Sequence, residues 1–294
     1  MSGQNMLTLI NPQSGNLAFR LFSFENSDLF DHLQRNNFYS IIWVLHGEGK
    51  LTADFSEYNF PENTLFAFAP YQPFMFSSKD RLLGSALYFH PDFFCIHKHQ
   101  QEVACHGVLF NNIYQPPFTP VDEASAATFR LVTEELRKEM MSPALAQHEL
   151  LVSYLKIFLI TATRLKTESL PLAQRPVMDR KEPFILQNLK EAIEKNFRTK
   201  HAASQYAGML NISLKALGKI SKTHFNKTLT ELISERIVIE AKRELYQTNK
   251  PIKKIAYELG YDDEYYFSRF FKTNAYVSPQ LYRDAVGSGR GVLD

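Results

Sequence analysis

The chain has 294 residues, enough for two domains with separate cores, and its 45% apolar content is ordinary for a folded protein in water. No run of about 18 apolar residues offers a membrane span, and Met1 to Leu7 lacks the basic-then-apolar pattern of a secretory leader. Two cysteines are too few for a disulfide framework, so a reducing cytoplasm is the expected compartment. The net charge of +2 hides a split: residues 1–179 carry 13 Lys+Arg against 18 Asp+Glu, and 180–294 carry 20 against 13. Only the C-terminal part has the cationic excess that attracts a polyanion, although a solvated basic face has the same composition.

Residues 17–121 read as a series of short strands. Phe38–Leu45 (FYSIIWVL) is apolar on both faces, as in a strand buried inside a sandwich, and Gly47 and Gly49 follow in a turn. Thr64–Ala69 and Leu83–Phe89 are similar runs, separated by Pro70, Pro73 and polar loops. Because 18 of the 24 Phe lie in 1–179, this part has the material for the core of an antiparallel sandwich or barrel. From Val121 the texture is helical. Asp122–Met140 and Ala144–Leu165 flank Ser142-Pro143, and the second helix carries Leu151, Leu155, Phe158 and Leu159. So wide an apolar surface has to be covered, by the β-domain or by a second subunit, and a homodimer through 122–166 is expected. The three prolines and mixed charge of 167–183 mark a linker.

Residues 184–294 read as all-helical. Ile185, Leu189, Ile193 and Phe197 form an i, i+4 stripe. A short helix, Ala202–Met209, and a turn at Leu210-Asn211-Ile212 lead to Ser213, which can cap Leu214–His224; Asn226 suits the left-handed end of that helix. Thr228 and Glu231 have the spacing of a capping box opening a helix to Tyr246. The same unit returns about 50 residues later: Ile252–Leu259, a stop at Gly260, a cap at Asp262, the helix Asp263–Thr273, then Ser278-Pro279 as a cap and an N1 proline before Leu281-Tyr282-Arg283.

In the second unit Phe267, Phe270 and Phe271 suit an inner face, leaving Tyr265, Ser268 and Arg269 outward. Arginine can bond guanine O6 and N7 in a bidentate manner. The competing readings are a surface ion pair of Arg269 with Asp262 or Glu264, and packing of Tyr265 on the preceding helix. In the first unit Lys215, Gly218, Lys219 and Lys222 share the comparable face, and the lysines suit either phosphate contacts or plain solvation. A glycine inside a helix calls for a reason, either close approach of a groove or of a neighbouring helix.

The run Ile255-Ala256-Tyr257-Glu258-Leu259-Gly260-Tyr261, continuing through Tyr266-Phe267-Ser268-Arg269 to Phe271-Lys272, with Ser278-Pro279 and Tyr282-Arg283, resembles the AraC/XylS family of bacterial transcription activators over roughly 184–286. The chain departs from the family pattern at Tyr276, where glycine is usual, and at Ser221, where a large aromatic is usual. The resemblance implies double-stranded DNA and RNA polymerase as partners, no enzymatic activity and no cofactor. It also implies a multidomain architecture: an N-terminal all-β cupin-like sensory barrel (1–121) with appended helices (122–166), the linker, and a C-terminal all-α domain with two helix-turn-helix units.

Catalytic cupins hold a metal with a His-x-His cluster and a following Glu; here that region offers only His46 and Glu48, so no catalytic residue is expected. Trp43, His46, Phe68, Tyr88 and His90 are candidates for the pocket of an unknown small-molecule effector, with plain core as the alternative. Cys95, His97, His99, Cys105 and His106 lie within 12 residues, but their spacing matches no standard zinc site. A redox-sensitive thiol or ordinary structure fits them as well, and no metal is expected.

Overall fold

A computed structural model describes residues 6–286, except 14, 55, 80, 97, 98, 100–106, 143 and 170–183. Two compact units emerge: Met1–Asn112 with Pro116–Pro171, and Ile113–Gln115 with Leu172–Asp294. The expected linker falls almost wholly outside the described residues.

The strands of the first unit are β1 (Leu7–Ile10), β2 (Leu17–Phe24), β3 (Tyr39–His46), β4 (Gly49–Ala53), β5 (Ser56–Phe60), β6 (Thr64–Phe68), β7 (Phe74–Ser77), β8 (Leu83–Phe89) and β9 (Phe118–Pro120). They form an antiparallel six-stranded sheet, β1-β2-β8-β3-β6-β9, and a three-stranded sheet, β5-β4-β7. The two-faced apolarity of β3 has a direct cause. Ile42 and Val44 point into an aromatic layer shared by both sheets, with Phe22, Phe66, Phe68, Phe74 and Phe76. Ile41 and Trp43 point the other way, into a core completed by two helices. Alternate residues of a strand face opposite sides, and here both sides are covered.

Those helices are α1 (Glu123–Met141), capped by Asp122 accepting from Ser125 N, and α2 (Gln147–Ser169). The expected start of α2 at Ala144 is displaced because Ala146 sits at φ +61°, outside helical space. Leu151, Leu155, Phe158 and Leu159 are buried in the core that the helices share with β2, β3 and β8. Of the two covers expected for this surface, the protein's own sheet supplies it, at about 1.5–3 kcal/mol for each fully buried side chain. These four residues therefore do not face a second copy. Lys166 of α2 is also buried; its ammonium donates to Pro116 O (2.5 Å) and Phe118 O (3.3 Å), and burial brings its pKa down to about 7.

The second unit contains α3 (Phe184–Asn196), α4 (Ala203–Met209), α5 (Leu214–Phe225), α6 (Leu229–Gln247), α7 (Ile252–Glu258), α8 (Glu264–Ala275) and α9 (Pro279–Ala285). The central α6 touches all six others. Its capping box forms: Thr228 Oγ1 accepts from Glu231 N at 3.2 Å, and the Glu231 carboxylate accepts from Thr228 N at 2.6 Å. An ionic knot holds its middle. Glu240, 4% exposed, takes Arg198 (2.5 Å), Arg236 (3.2 Å) and Arg243. Burial alone would raise the Glu240 pKa, but Arg243, Arg236 and Arg198 together outweigh it and hold the carboxyl below its ordinary value. Lys227 and Glu235 form a second buried pair at 2.7 Å.

Candidate nucleic-acid interface

In the first helix-turn-helix unit, α4 ends at Leu210, Asn211 turns the chain at φ +52°, and Ser213 Oγ accepts from Ala216 N to start α5. Leu217, Ser221 and Phe225 face the core, and Asn226 ends the helix at φ +57°. Ser221 stands in place of the usual large aromatic because its hydroxyl is used: buried, it donates to Lys227 O at 2.8 Å and ties the end of α5 to the start of α6. Lys215, Lys219 and Lys222 are exposed along one stripe, with Gly218 between them. Among the described residues Lys215 and Lys219 have no ionic or hydrogen-bonding partner, whereas Lys222 Nζ donates to Asn226 O at 3.2 Å.

The second unit follows the same plan with one residue more in its turn. Gly260 sits at φ +78°, where a Cβ would collide with Arg198 O, so glycine is required twice over, by conformation and by space. The cap is Asp263 rather than the expected Asp262: its carboxylate accepts from Tyr265 N (2.6 Å) and Tyr266 N (3.2 Å). Phe267, Phe271 and Ala275 are buried, and Phe270 is half-buried against Tyr261, ring to ring at 5.2 Å. Tyr276 takes φ +61° in place of the usual glycine. Arg269 is exposed and forms no ion pair with Asp262, Glu264 or any other described residue. Tyr265 is 80% exposed, so it does not pack on α7; Ser268 is half-buried beside it.

Other residues of the recognised motif do structural work. Ile255, Ala256, Leu259 and Tyr261 are core. Arg283 donates to Leu245 O (3.3 Å) and Lys250 O (2.6 Å), closing the end of α6. Two outward residues, Tyr266 and Lys272, belong to the motif but are not among the DNA-facing candidates named from the sequence. The 50-residue repeat holds the signal for both, since it aligns them with the exposed Ala216 and Lys222.

The five candidates for an effector pocket do not line one cavity. Trp43 lies on the helix side of β3, its Nε1 donating to Asn63 Oδ1 (3.0 Å) and its ring against Phe129. Phe68 and Tyr88 lie on the other side: Phe68 stacks on Phe74 at 3.9 Å and Tyr88 on Phe38 at 4.7 Å. His46 is exposed, 3.7 Å from Glu62, and buried His90 accepts from Asp92 N at Nδ1. A cleft of about 610 Å3 lies elsewhere, lined by Glu48, Gly49, Lys50, Asn59, Phe60, Ser77, Ser78 and Lys79. Of the cysteine–histidine cluster, His99 stacks on Phe94 at 4.7 Å and Cys95 is half-buried. His97, Cys105 and His106 lie outside the described residues, and no metal-binding group forms among those described.

Comparison with known proteins matches both units. The family described as an AraC-like ligand binding domain covers residues 16–150, and a helix-turn-helix domain family covers 206–285. The chain belongs to the AraC family of transcription regulators. The regulator is 25% identical over 256 residues to the HTH-type transcriptional regulator YfiF of Bacillus subtilis, spanning 85% of this chain and 78% of that one. It is 30% identical over 95 residues to the raffinose operon regulatory protein RafR of Pediococcus pentosaceus, 32% of this chain and 34% of that one. Among solved structures, ToxT from Vibrio cholerae aligns over 96% of this chain and 97% of its own, at 16% identity and a TM-score of 0.41. A superposition that loose adds nothing to the two family matches, which carry the assignment: a DNA-binding regulator with a ligand-binding type of domain in front. No described helix is long and apolar enough to cross a membrane.

Proposed function

We propose that the regulator works in the cytoplasm as a homodimer, each copy laying α5 and α8 into two successive major-groove segments of double-stranded DNA and acting on transcription through RNA polymerase. The observation that carries this reading is the pair of capped helices, 50 residues apart, each with a buried inner face and a solvent-facing stripe whose cations Lys215, Lys219 and Arg269 have no partner within the described protein. Arg269 takes the base-reading role, with Tyr265 and Ser268 beside it; Lys215, Lys219 and Lys222 hold phosphates, and Gly218 lets the α5 backbone approach the groove. The 19-residue α6 is about 28 Å long, close to the roughly 34 Å of one DNA turn.

For the dimer, the outward side of α1 and α2 offers Leu131, 64% exposed, and Ile157, 45% exposed, together with Leu150. For the effector, the open cleft at Lys50 and Lys79 has room for a small molecule, whereas the layer between the sheets is filled by rings. No catalytic role is assigned to either unit.

The test is binding of the full chain to double-stranded DNA across salt concentrations. Neutralising several phosphates releases as many counterions, so affinity should fall steeply, by orders of magnitude, between about 50 and 200 mM salt. A binding constant that stays flat over that range overturns the reading.

A further inference from the structure

The two reading helices are built on one frame but finished differently. Their caps, Ser213 and Asp263, are 50 residues apart, and their inward positions match one to one: Leu217 with Phe267, Ser221 with Phe271, Phe225 with Ala275, all buried. The outward positions then compare directly: Lys215 with Tyr265, Ala216 with Tyr266, Gly218 with Ser268, Lys219 with Arg269, Lys222 with Lys272.

On α5 this leaves three ammonium groups on long flexible stems, separated by a methyl group and a bare backbone. An ammonium is a compact, strongly hydrated point charge on a flexible stem, well suited to a phosphate and without the rigid planar fork that fixes a guanidinium on one base edge. On α8 the first four of these places hold two aromatic rings, a hydroxyl and a planar guanidinium fork, and only the fifth, Lys272, keeps an ammonium. Tyr265 and Tyr266 are 80% and 58% exposed. Tyr266 keeps a ring contact with Tyr261 at 5.9 Å, whereas the Tyr265 ring has none among the described residues and is the more available to a partner. Asp263 fixes their first turn by accepting from both of their backbone amides. A ring face meets a thymine methyl, and a fork meets the O6 and N7 of guanine. Tyr265 and Arg269 are four residues apart, about 6 Å along the helix, or roughly two base pairs along the groove.

We infer that the protein divides its labour: α8 carries nearly all base discrimination, reading a guanine with Arg269 and a thymine within about two base pairs of it with Tyr265, while α5 grips the neighbouring segment with little regard for sequence. This rests on the two-segment binding proposed above. Each half-site should therefore have one well-defined segment and one close to random.

The experiment is selection of binding sites from random double-stranded DNA by the full chain, repeated with Arg269→Ala, Tyr265→Ala and Lys219→Ala. All three side chains point into water, so a melting curve suffices to show each variant folded. Arg269→Ala should erase preference at one guanine and cost on the order of tenfold in specific affinity, whereas Lys219→Ala should weaken all sequences alike and lower the salt slope by about one. Replacing the selected thymine by deoxyuracil should weaken the wild type several-fold and leave Tyr265→Ala unmoved. Two equally defined segments overturn the division of labour, as does a defined segment that changes with Lys219 and not with Arg269. Absence of salt-dependent DNA binding in the starting protein overturns the underlying two-segment reading instead, so the two failures are distinguishable.

Discussion

Gly218→Ala separates the folding role of a residue from its binding role. The ideal Cβ at Gly218 meets nothing within 4 Å, so no neighbouring helix needs the space. Alanine in a helix interior is better than glycine by about 1 kcal/mol, and nothing steric opposes that gain here. For a domain of this size 1 kcal/mol corresponds to a rise of roughly 4–8 °C in the melting temperature of the helical unit. Binding should move the other way, because a methyl group enters the gap between the α5 backbone and the groove. The matching place on α8 is taken by Ser268, a small side chain, so one methyl should be partly accommodated. The expected loss is several-fold, less than the tenfold that about 1.4 kcal/mol represents. Gly208→Ala on α4 is the control: its Cβ is equally open, but α4 is not the reading helix, and affinity should hold. Calorimetry and fluorescence anisotropy on the two variants give both quantities. A Gly218→Ala protein that is more stable and binds as well as the parent refutes the groove-facing assignment; one that melts lower refutes the open-space argument.

Three further outcomes are expected. Glu240→Gln leaves Arg198, Arg236 and Arg243 around a neutral acceptor, and denaturant unfolding at pH 7 should show a loss below the ~3–5 kcal/mol of a fully buried broken pair, since Arg198 is half exposed. Because the folded Glu240 pKa lies below its ordinary value, its contribution is present above that ordinary value and lost as pH falls through the folded one, so the gap between variant and parent should close in acid. Lys166 has its pKa lowered from 10.5 to about 7 by burial, so between those values the unfolded chain binds a proton that the folded one does not. The parent should gain stability relative to Lys166→Met as pH rises from about 7 to about 10 in thermal melts; parallel profiles would remove the buried-charge account. Leu131→Lys with Ile157→Lys, both outward, should yield monomers by light scattering with little change in melting temperature, and an unchanged dimer would relocate the interface.

How much of this is legible in the sequence depends on range. Local punctuation reads well: Ser213, Thr228 and Ser278 cap where the sequence places them, and Asn226 takes the left-handed end. The choice between Asp262 and Asp263 is not decidable locally, because two adjacent carboxylates can each cap and the second turn carries one residue more than the first. The apolar run of β3 announces a strand covered on both faces. What it does not announce is register. Phe68 and Tyr88 both pair with Ser40, which sets them on the face of Ile42 and Val44, away from Trp43. Whether side chains from three strands share a face depends on pairings between segments far apart in the chain, which no local pattern records. The same holds for the cover of Leu151 and Leu155: the sequence demands one, but only packing shows it to be the protein's own sheet.

Charge shows why composition points the right way for an incomplete reason. The C-terminal excess suggests a polyanion, yet much of it is turned inward. Arg198, Arg236 and Arg243 surround Glu240, Lys227 pairs with Glu235, and Arg283 closes the end of α6 through two carbonyls. Arg236 also reaches Glu194 of α3 at 2.7 Å, so these cations tie α3, the turn before α4, and the loop after α5 to the central helix, and α9 to its far end, and fix how the two reading helices are held. The cations free of any partner among the described residues, and so able to meet phosphate or base, include Lys215 and Lys219 on α5 and Arg269 and Lys272 on α8. Pairing separates the two sets, and the acceptors Glu240 and Glu235 are buried, so the response to salt differs as well: exposed charges are screened over about 10 Å at about 0.1 M, whereas pairs made to a buried partner are screened less. Ionic strength thus acts on the grip of the protein on DNA while leaving the scaffold that spaces its reading helices largely intact.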